Sequence, residues 1–423
     1  MSHIESSVNQ GLGCITLNRP GALNALSLDM IRDLTAVLLA WRDDASVRAV
    51  AFRGMSKAGP FGAFCAGGDI RFFHKAAHAG DPALEDFFTE EYRLNHLIHV
   101  YPKPTVVFMD GIVMGGGMGL AQGCSLRVAS STTKMAMPET LIGLFPDVGG
   151  GHFLSRCPGH LGEFLGLTGE HLNGPQAVQA GLADVVIDAE ALPDLWSQLP
   201  SRLTSLWASG WDSRPPSQAE AMPTLAREAF VAHARDWPEA QSMAAGHPSH
   251  EIGKLAEIDA VFSAPDLLSA HQRLKQMAEQ GAQTNAHPQG HSLGHEQDQA
   301  HGQKAHGQTQ SEWASHQLQA LAKRSPLMLH VTWAQIRRAR GMKLADELRS
   351  ERDLVRHCFH PRHLNRTSVQ SDTVEGIRAL AVDKDHSPQW MHASMEDVSP
   401  QEVASFFESP WPAHAHPLAD LKD

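Results

Sequence analysis

The first half of the chain alternates strand-like and helix-like segments, and this order constrains the fold more than any other feature. Short apolar runs at residues 14–17, 47–52 and 105–109 are typical of buried β-strands. After the first run, Ser27 can cap a helix with apolar residues at helical spacing, and a second such pattern covers about 84–99. Strands separated by helices need crossover connections, so the pattern predicts an α/β fold.

From about residue 150 the pattern becomes mainly helical, with breaks at Pro and Gly pairs. Helices packed beside a strand-rich core are therefore expected. We divide the chain into a core over 1–200, a helical extension over 201–278, a low-complexity insertion over 279–312 and a C-terminal helical region over 313–423 that completes the domain.

The insertion at 279–312 is rich in Gln, Gly, His and Ala and offers almost no apolar residues to offset the entropy of ordering. Imidazoles favour zinc, copper and nickel, so one interpretation of this tract is metal binding. We favour a solvated insertion and expect no metal, because irregular spacing without Cys or acid partners does not define a closed tetrahedral site. The tract contains His287, His291, His295, His301 and His306.

The net charge of −12, with no stripe dense in Lys or Arg, disfavours nucleic acid as a partner. The N-terminal residues MSHIESSVNQ lack the basic start and apolar run of a signal peptide, and no stretch approaches the ~20 apolar residues of a membrane span. These features predict a cytoplasmic protein that does not bind membranes. Reduced, mostly buried thiols are expected at the five widely spaced cysteines, Cys14, Cys65, Cys124, Cys157 and Cys358.

Two glycine clusters, at 64–69 and 111–119, stand where a strand-like run ends and a helix can begin. Backbone N–H groups at such turns are unpaired, and two of them can converge on one oxygen, as an oxyanion hole requires. Turns and close helix packing also select glycine, so each cluster alone leaves both interpretations open. Neither cluster has the G-x-G-x-x-G pattern of a dinucleotide site.

Carboxylates in apolar surroundings are the remaining candidates for chemistry. The run MPETLIGLFPDVGGG at 137–151 places Glu139 and Asp147 eight residues apart, each after a proline that stiffens the backbone. Glu91 falls on the apolar stripe of the helix predicted at 84–99, so its carboxylate faces inward. An inward Glu is either paired structurally or lines a polar pocket, and we favour the pocket because unpaired buried charge is costly.

At these motifs the sequence resembles the crotonase superfamily, and within it the 3-hydroxyisobutyryl-CoA hydrolase branch. The resemblance rests on the A-G-G-D turn at 66–69, the M-G-G-G-M-G run at 114–119 and the phrase at 137–151. It continues through 165–169 and 180–183 and returns near the C-terminus. The fold that this resemblance implies is a spiral of ββα repeats with a C-terminal helical region.

The resemblance also implies the site. Backbone N–H groups of Ala66 and Gly116 would form the oxyanion hole, and Glu139 and Asp147 would be the catalytic acids. Glu91, together with Gly116, Glu139 and Asp147, would contact an acyl-CoA substrate. Coenzyme A would enter only as part of that substrate, so we expect no cofactor.

One departure from the superfamily pattern separates the candidate reactions. Enoyl-CoA hydratases carry a catalytic glutamate at the position of Gly119 and usually glycine at the position of Asp147. The expected activity is therefore hydrolysis of 3-hydroxyisobutyryl-CoA, a step of valine breakdown, with 3-hydroxypropionyl-CoA as a second substrate. A Δ3,Δ2-enoyl-CoA isomerase, which needs only the acid matched by Glu139, a hydratase-like enzyme and a non-catalytic CoA-binding scaffold are the alternatives. The sequence leaves open whether the chain forms a homo-oligomer.

Overall fold

The structure is a computed structural model that describes residues 3–206, 224–241, 252–285 and 310–423. The predicted histidine-rich tract lies mostly outside them, at 286–309. The strands are β1 Ile4–Asn9, β2 Leu12–Leu17, β3 Ala49–Ser56, β4 Gly59–Pro60, β5 Thr105–Met109, β6 Ile112–Met114, β7 Leu126–Ser130, β8 Lys134–Ala136 and β9 Val185–Ile187.

Helices occupy most of the remaining described chain. They are α1 Leu28–Asp43, α2 Ile70–Ala79, α3 Ala83–His99, α4 Gly116–Gln122, α5 Gly150–Leu154, α6 Leu161–Thr168, α7 Gly174–Gln179, α8 Leu192–Leu206, α9 Thr224–Arg235, α10 Leu255–Phe262, α11 Leu267–Asn285, α12 Pro326–Ala339, α13 Leu344–Phe359, α14 Asp372–Ile377 and α15 Pro400–Ser405. A further helical stretch covers 310–321.

The main sheet has the order β1-β2-β3-β5-β7-β9, with β4 paired to β3 at one side. Strand β1 is antiparallel to β2, and every later pair along this order is parallel, with the strands in chain order. Each return to the sheet passes through at least one helix, so the chain advances as a spiral. The predicted α/β spiral of ββα repeats is confirmed.

A second, smaller layer of extended chain runs beside the main sheet. Strands β6 and β8 form a parallel pair, and isolated parallel bridges join Leu26 to Gly68 and Cys65 to Val113. Successive turns of the spiral therefore also meet in this layer, and both predicted glycine turns lie at its edge.

Alternate residues of the main strands point to opposite faces, as the two-residue strand period requires. Val107 of β5 belongs to the larger buried core, which extends from Ile4 to Leu418, whereas Val106 and Phe108 pack in a smaller core under α8 and α9. On the larger side, α12 packs against α5 and α6, and α13 packs against α3. The C-terminal helices thereby cover the segments that carry the predicted acids.

Two local predictions are confirmed: the helix cap at Ser27 and the free, mostly buried cysteines. The Ser27 hydroxyl accepts a hydrogen bond from the Met30 N–H at 3.3 Å and caps α1. All the cysteines are free thiols, and all except the partly exposed Cys14 are buried. None of the described helices combines the length and apolar character needed to cross a membrane. Across the same residues, no group of three or more His, Cys, Asp or Glu side chains is placed to hold a metal ion.

Candidate active site

The three predicted acids and both glycine turns surround one cavity of ≈ 230 Å³. The turn at 66–68 and the start of α4 form one wall, α3 contributes Glu91, and the 138–148 segment forms the opposite wall. Leu380, just after α14, closes one side, so segments far apart in the sequence meet at this point.

The hydrogen bonds of the first glycine turn correct one prediction. The N–H of Ala66 donates to the Leu23 carbonyl at 3.0 Å, so this group is not free to bind a substrate oxygen. Leu26 pairs with the carbonyl of Gly67 and with the N–H of Asp69, so the N–H of Gly68 points away from Leu26. No described group accepts the N–H of Gly68, which makes it the better candidate donor.

The second glycine turn has its donor where the sequence predicted it. Gly116 is the first residue of α4, and its N–H has no acceptor among the described residues, as at any uncapped helix start. Gly67 lies beside it, since a Cβ on Gly67 would be 3.7 Å from the Gly116 nitrogen. The two turns thus bring free backbone donors to one side of the cavity.

Both glutamates pack directly against the second turn. A Cβ on Gly116 would lie 2.5 Å from Oε1 of Glu91, and a Cβ on Gly115 would lie 3.0 Å from Oε1 of Glu139. Gly115 also has a φ of +47°, which L side chains rarely adopt. Glycine is therefore required here by the close approach of the acids as well as by the backbone.

Glu91, Glu139 and Asp147 are between 2% and 6% exposed, and their protonation is linked. Burial raises the pKa of Glu91 well above its ordinary value, and the charges of Asp147 and Glu139 raise it further. Burial and Asp147 likewise raise the pKa of Glu139, against the opposing charge of Arg324. Burial raises the pKa of Asp147 to about 7. The three acids therefore do not all ionise together, because the charge of one disfavours ionisation of the others.

Two of these carboxylates are left with bonding capacity for a ligand. Oε1 of Glu91 and Oε2 of Glu139 are buried and have no hydrogen-bond partner in the described structure. A buried acceptor without a partner is costly, so these oxygens are positioned for groups that the protein itself does not supply. Glu91 is buried and lines the pocket, as its helix position predicted.

Asp147 is held by a side chain that sequence reasoning missed. The hydroxyl of Tyr92, on α3, donates to Oδ2 of Asp147 at 2.9 Å, and this bond lowers the pKa of the acid against the effect of burial. Val148 follows with a φ of +57°, a strained conformation for a β-branched residue. The turn after Asp147 is thus fixed by its surroundings rather than by local preference.

The C-terminal helices supply that fixation. Glu351 on α13 accepts hydrogen bonds from the N–H groups of Gly149 at 2.7 Å and Gly151 at 3.2 Å. Gln335 on α12 donates to the Pro146 carbonyl at 2.9 Å and to Glu351. Sequence reasoning missed both side chains, although Glu351 lies on the apolar stripe of its helix as Glu91 does on α3.

Glu139 begins a short 3₁₀ turn, Glu139–Ile142, whose far end is also held from the C-terminal region. The hydroxyl of Thr373 donates to the Gly143 carbonyl at 2.6 Å. Arg324 is close enough for its charge to act on Glu139, and its Nε and Nη1 atoms are buried without partners in the described chain. Hydrogen bonds from the C-terminal region therefore hold the loop between Glu139 and Asp147 at Gly143 and at Pro146.

The structure leaves no room for an acid at position 119. A Cβ on Gly119 would lie 2.6 Å from Cβ of Val148 and 3.0 Å from both amide atoms of Asn95. A glutamate there would have to displace the turn that positions Asp147. This backbone cannot hold both Asp147 in its present position and an acid at position 119. The absence of space at 119 disfavours hydratase chemistry.

Comparison with known proteins identifies the family of the chain. A family model described as enoyl-CoA hydratase/isomerase matches residues 12–407. Among curated proteins, the chain is 36% identical over 397 residues to the mitochondrial 3-hydroxyisobutyryl-CoA hydrolase of Danio rerio, covering 94% of this chain and 87% of that protein. It is 34% identical over 398 residues to the mitochondrial enzyme of the same name from Gallus gallus, covering 94% and 86%.

A solved structure extends the similarity to the fold. The crystal structure of an enoyl-CoA hydratase from Rhodobacter sphaeroides is 32% identical to this chain, with a TM-score of 0.70 over 97% of this chain and 98% of that one. The match includes the C-terminal helices as well as the spiral, since it spans nearly both chains.

Proposed function

Because the chain belongs to the enoyl-CoA hydratase/isomerase family, we propose that it hydrolyses 3-hydroxyisobutyryl-CoA to the free hydroxy acid and coenzyme A. 3-Hydroxypropionyl-CoA, which lacks one methyl group, is the proposed second substrate. The observation that carries the proposal is the pairing of Asp147 with Glu139 across one cavity while position 119 has no space for an acid. The two curated hydrolases support the same choice.

In the proposed reaction the thioester carbonyl oxygen lies between the N–H groups of Gly68 and Gly116. These donors stabilise the negative charge that develops when the carbonyl carbon is attacked. Glu139 acts either as the nucleophile, through a mixed anhydride, or as the general base that removes a proton from water. The C–S bond then breaks, the thiolate takes up a proton, and water supplies the oxygen and hydrogen that complete the acid.

Asp147 has the second role. Its pKa near 7 lets it carry a proton in one step and accept one in the next, as proton transfer at neutral pH requires. We assign it to orienting the water or the 3-hydroxyl group of the substrate and to sharing the proton transfer. Glu91, whose Oε1 has no partner in the described chain, is the further proposed contact for the acyl group.

The route for coenzyme A is proposed from a larger groove next to the catalytic cavity. This groove has a volume of ≈ 530 Å³, and Leu141 and Leu380 line both spaces. Lys323, His386 and Trp390 line its outer part. A pantetheine arm leaving the cavity past the two leucines would bring the coenzyme A phosphates towards the Lys323 ammonium. The proposed hydrolysis needs only charge stabilisation and proton transfer, so we propose no metal or redox cofactor.

Thiol release from a panel of acyl-CoA esters tests the function. We expect free coenzyme A from 3-hydroxyisobutyryl-CoA and, more slowly, from 3-hydroxypropionyl-CoA. The panel includes crotonyl-CoA and a 3-enoyl-CoA, with the inactive double variant of Glu139 and Asp147 as the blank. Double-bond migration in the 3-enoyl-CoA without thiol release would show an isomerase rather than a hydrolase. Binding of the esters without any turnover would show a non-catalytic CoA-binding scaffold.

Cellular location and assembly are further predictions. We keep the cytoplasmic location, although the names of both vertebrate relatives include the word mitochondrial. Whether the chain forms a homo-oligomer stays an open prediction. Sedimentation of the purified chain in the analytical ultracentrifuge tests it.

The pH profile of kcat/KM should rise with pH and reach half its maximum near 7. The reason is that burial raises the pKa of Asp147 to about 7, and the ionised form is the one that accepts a proton. Tyr92→Phe removes the hydrogen bond that lowers this pKa, so the midpoint should move to higher pH. Thr373→Val is the control, because it removes a hydrogen bond to the same loop at Gly143, away from Asp147. Its midpoint should stay near that of the wild type. An unchanged midpoint in Tyr92→Phe would contradict the assignment of this ionisation to Asp147.

The histidine-rich tract should be dispensable for catalysis. Replacing residues 286–309 with a short Gly-Ser linker preserves Gln310, whose side chain donates to Glu257 at 3.0 Å, and should leave thioester turnover within a few-fold. The tract has almost no apolar residues and is absent from the family pattern. The metal-binding interpretation would be favoured instead by two results together: the deletion abolishes turnover, and added zinc raises turnover in the full chain but not in the deletion variant.

A further inference from the structure

A second cavity, of ≈ 140 Å³, lies next to the catalytic cavity, and Val148 lines both. We call it the rear cavity and define it by Asn95, His99, His152, Arg156 and Arg227, which line it together with other polar and apolar residues. It is on the side of Val148 that faces Gly119, and it shares no lining residue with the groove proposed for coenzyme A.

The two cavities share their walls. On α3, Asn95 and His99 follow Glu91 at intervals of four residues, so one face of the helix passes from the catalytic acids into the rear cavity. On the other wall, the chain continues from Asp147 to His152. Val148, which follows Asp147 directly, borders both the reacting groups and this polar space.

Two arginines at the rear cavity lack a direct ion-pair partner among the described residues, although Glu347 acts on Arg156 and Asp184 acts on Arg227 from a longer distance. Neither Arg156 nor Arg227 has a carboxylate within ion-pair distance in the described part of the chain. Arg156 donates instead to the carbonyl oxygens of His152 at 2.7 Å and Met342 at 2.8 Å. Arg156 is exposed at the rim, whereas Arg227 is partly buried. A partly buried guanidinium without a counter-ion is unfavourable, so an anion supplied from solution would stabilise Arg227.

A third cation borders the same space, but its charge is already matched. Arg127 forms a bidentate pair with Asp184, with N···O distances of 3.0 and 2.7 Å. The histidines add no charge, since burial lowers the pKa of His99 and lowers that of His152 to about 3. The guanidinium groups at this cavity without an ion-pair partner in the described chain are therefore those of Arg156 and Arg227.

Asn95 gives an independent sign of a ligand. Its side chain is only 2% exposed, and neither its Oδ1 nor its Nδ2 has a hydrogen-bond partner among the described residues. Leaving a buried amide unpaired costs about 1–3 kcal/mol for each group, so such amides normally meet a bound molecule. The amide lies next to Gly119 on the cavity wall, within reach of whatever occupies the space.

We propose that the rear cavity is a second binding site, for a small oxyanion held by Arg156, Arg227 and the Asn95 amide. Its size admits a molecule of a few non-hydrogen atoms and excludes coenzyme A. A short hydroxy-carboxylate fits this description, and if the proposed function holds, it is the acid that the catalytic cavity releases on the other side of Val148. Inorganic phosphate has the same charge chemistry and a similar size.

Calorimetric titration of the full chain with 3-hydroxyisobutyrate and, separately, with inorganic phosphate tests the site. We expect saturable binding of at least one anion, and binding should persist when the catalytic cavity is filled with a non-hydrolysable thioether analogue of the acyl-CoA. Arg156→Gln and Arg227→Gln should each weaken binding about tenfold or more, the scale of one lost charged hydrogen bond. Arg235→Gln, on the same helix as Arg227 but exposed, is the matched control and should bind normally.

The outcomes separate the two proposals. Hydroxy-carboxylate binding that depends on both arginines supports a product site, and binding of phosphate alone supports an oxyanion site that serves another ligand. The proposal is overturned if neither anion binds, if both arginine variants bind normally while folded, or if the thioether analogue abolishes binding. Anion binding by a protein that releases no coenzyme A would leave this site standing and reject the proposed function.

Discussion

Asp147→Asn should lower the release of coenzyme A from 3-hydroxyisobutyryl-CoA by about 10² or more, the usual scale for losing a positioned acid–base group. Asn is nearly isosteric and can still accept the hydrogen bond from Tyr92, so the cavity should keep its shape. Glu139→Gln should lower the rate at least as far, because this residue is the nucleophile or base in either proposed route. The double variant should lose little beyond the worse single variant, since residues that act as one unit are not additive.

Stability measurements distinguish lost chemistry from lost structure. Burial raises the pKa of folded Asp147 to about 7, above the ~3.9 of an unfolded chain, so folding favours the protonated acid. Its stabilising contribution is complete below the unfolded value and disappears as the pH rises through 7. Asp147→Asn is therefore expected to gain thermal stability relative to wild type as the pH increases from 5 to 8. Wild-type hydrolysis by a folded Asp147→Asn protein would refute the catalytic role of this residue.

Local patterns predicted the features that depend on neighbouring residues in the chain. The strand at 105–109 and the inward position of Glu91 follow from apolar periodicity, and both are confirmed. Strand β9, Val185–Ile187, escaped detection because three residues give too short a pattern. The family resemblance, rather than periodicity, brought Glu139 and Asp147 together with the glycine turns, and the structure places them around one cavity.

Features that depend on distant contacts could not be predicted in the same way. Which N–H of the 66–68 turn is free depends on the pairing of this turn with Leu23 and Leu26, some forty residues away. The supports of the Asp147 turn come from about 200 residues further along the chain, through Glu351 and Gln335. A buried polar residue on an apolar helix stripe was the available signal for Glu351, but a stripe does not identify the partner that it will meet.

Gly116→Pro should reduce kcat by roughly 10²–10³, because it removes one of the two proposed donors to the oxyanion. Proline is tolerated at the first residue of a helix, where no intrahelical partner exists for the N–H, and the ψ of −122° at Gly115 lies outside the helical region that a following proline disfavours. Gly116→Ala is the matched control, since both variants place a Cβ against Glu91 but only proline deletes the N–H. The ratio of their rates, measured by thiol release at saturating substrate, therefore isolates the donor. Equal rates for folded Gly116→Pro and Gly116→Ala would mean that the Gly116 N–H does not bind the oxyanion. A much lower rate for the proline variant alone would assign this donor, and the same result for Gly68→Pro relative to Gly68→Ala would assign the second.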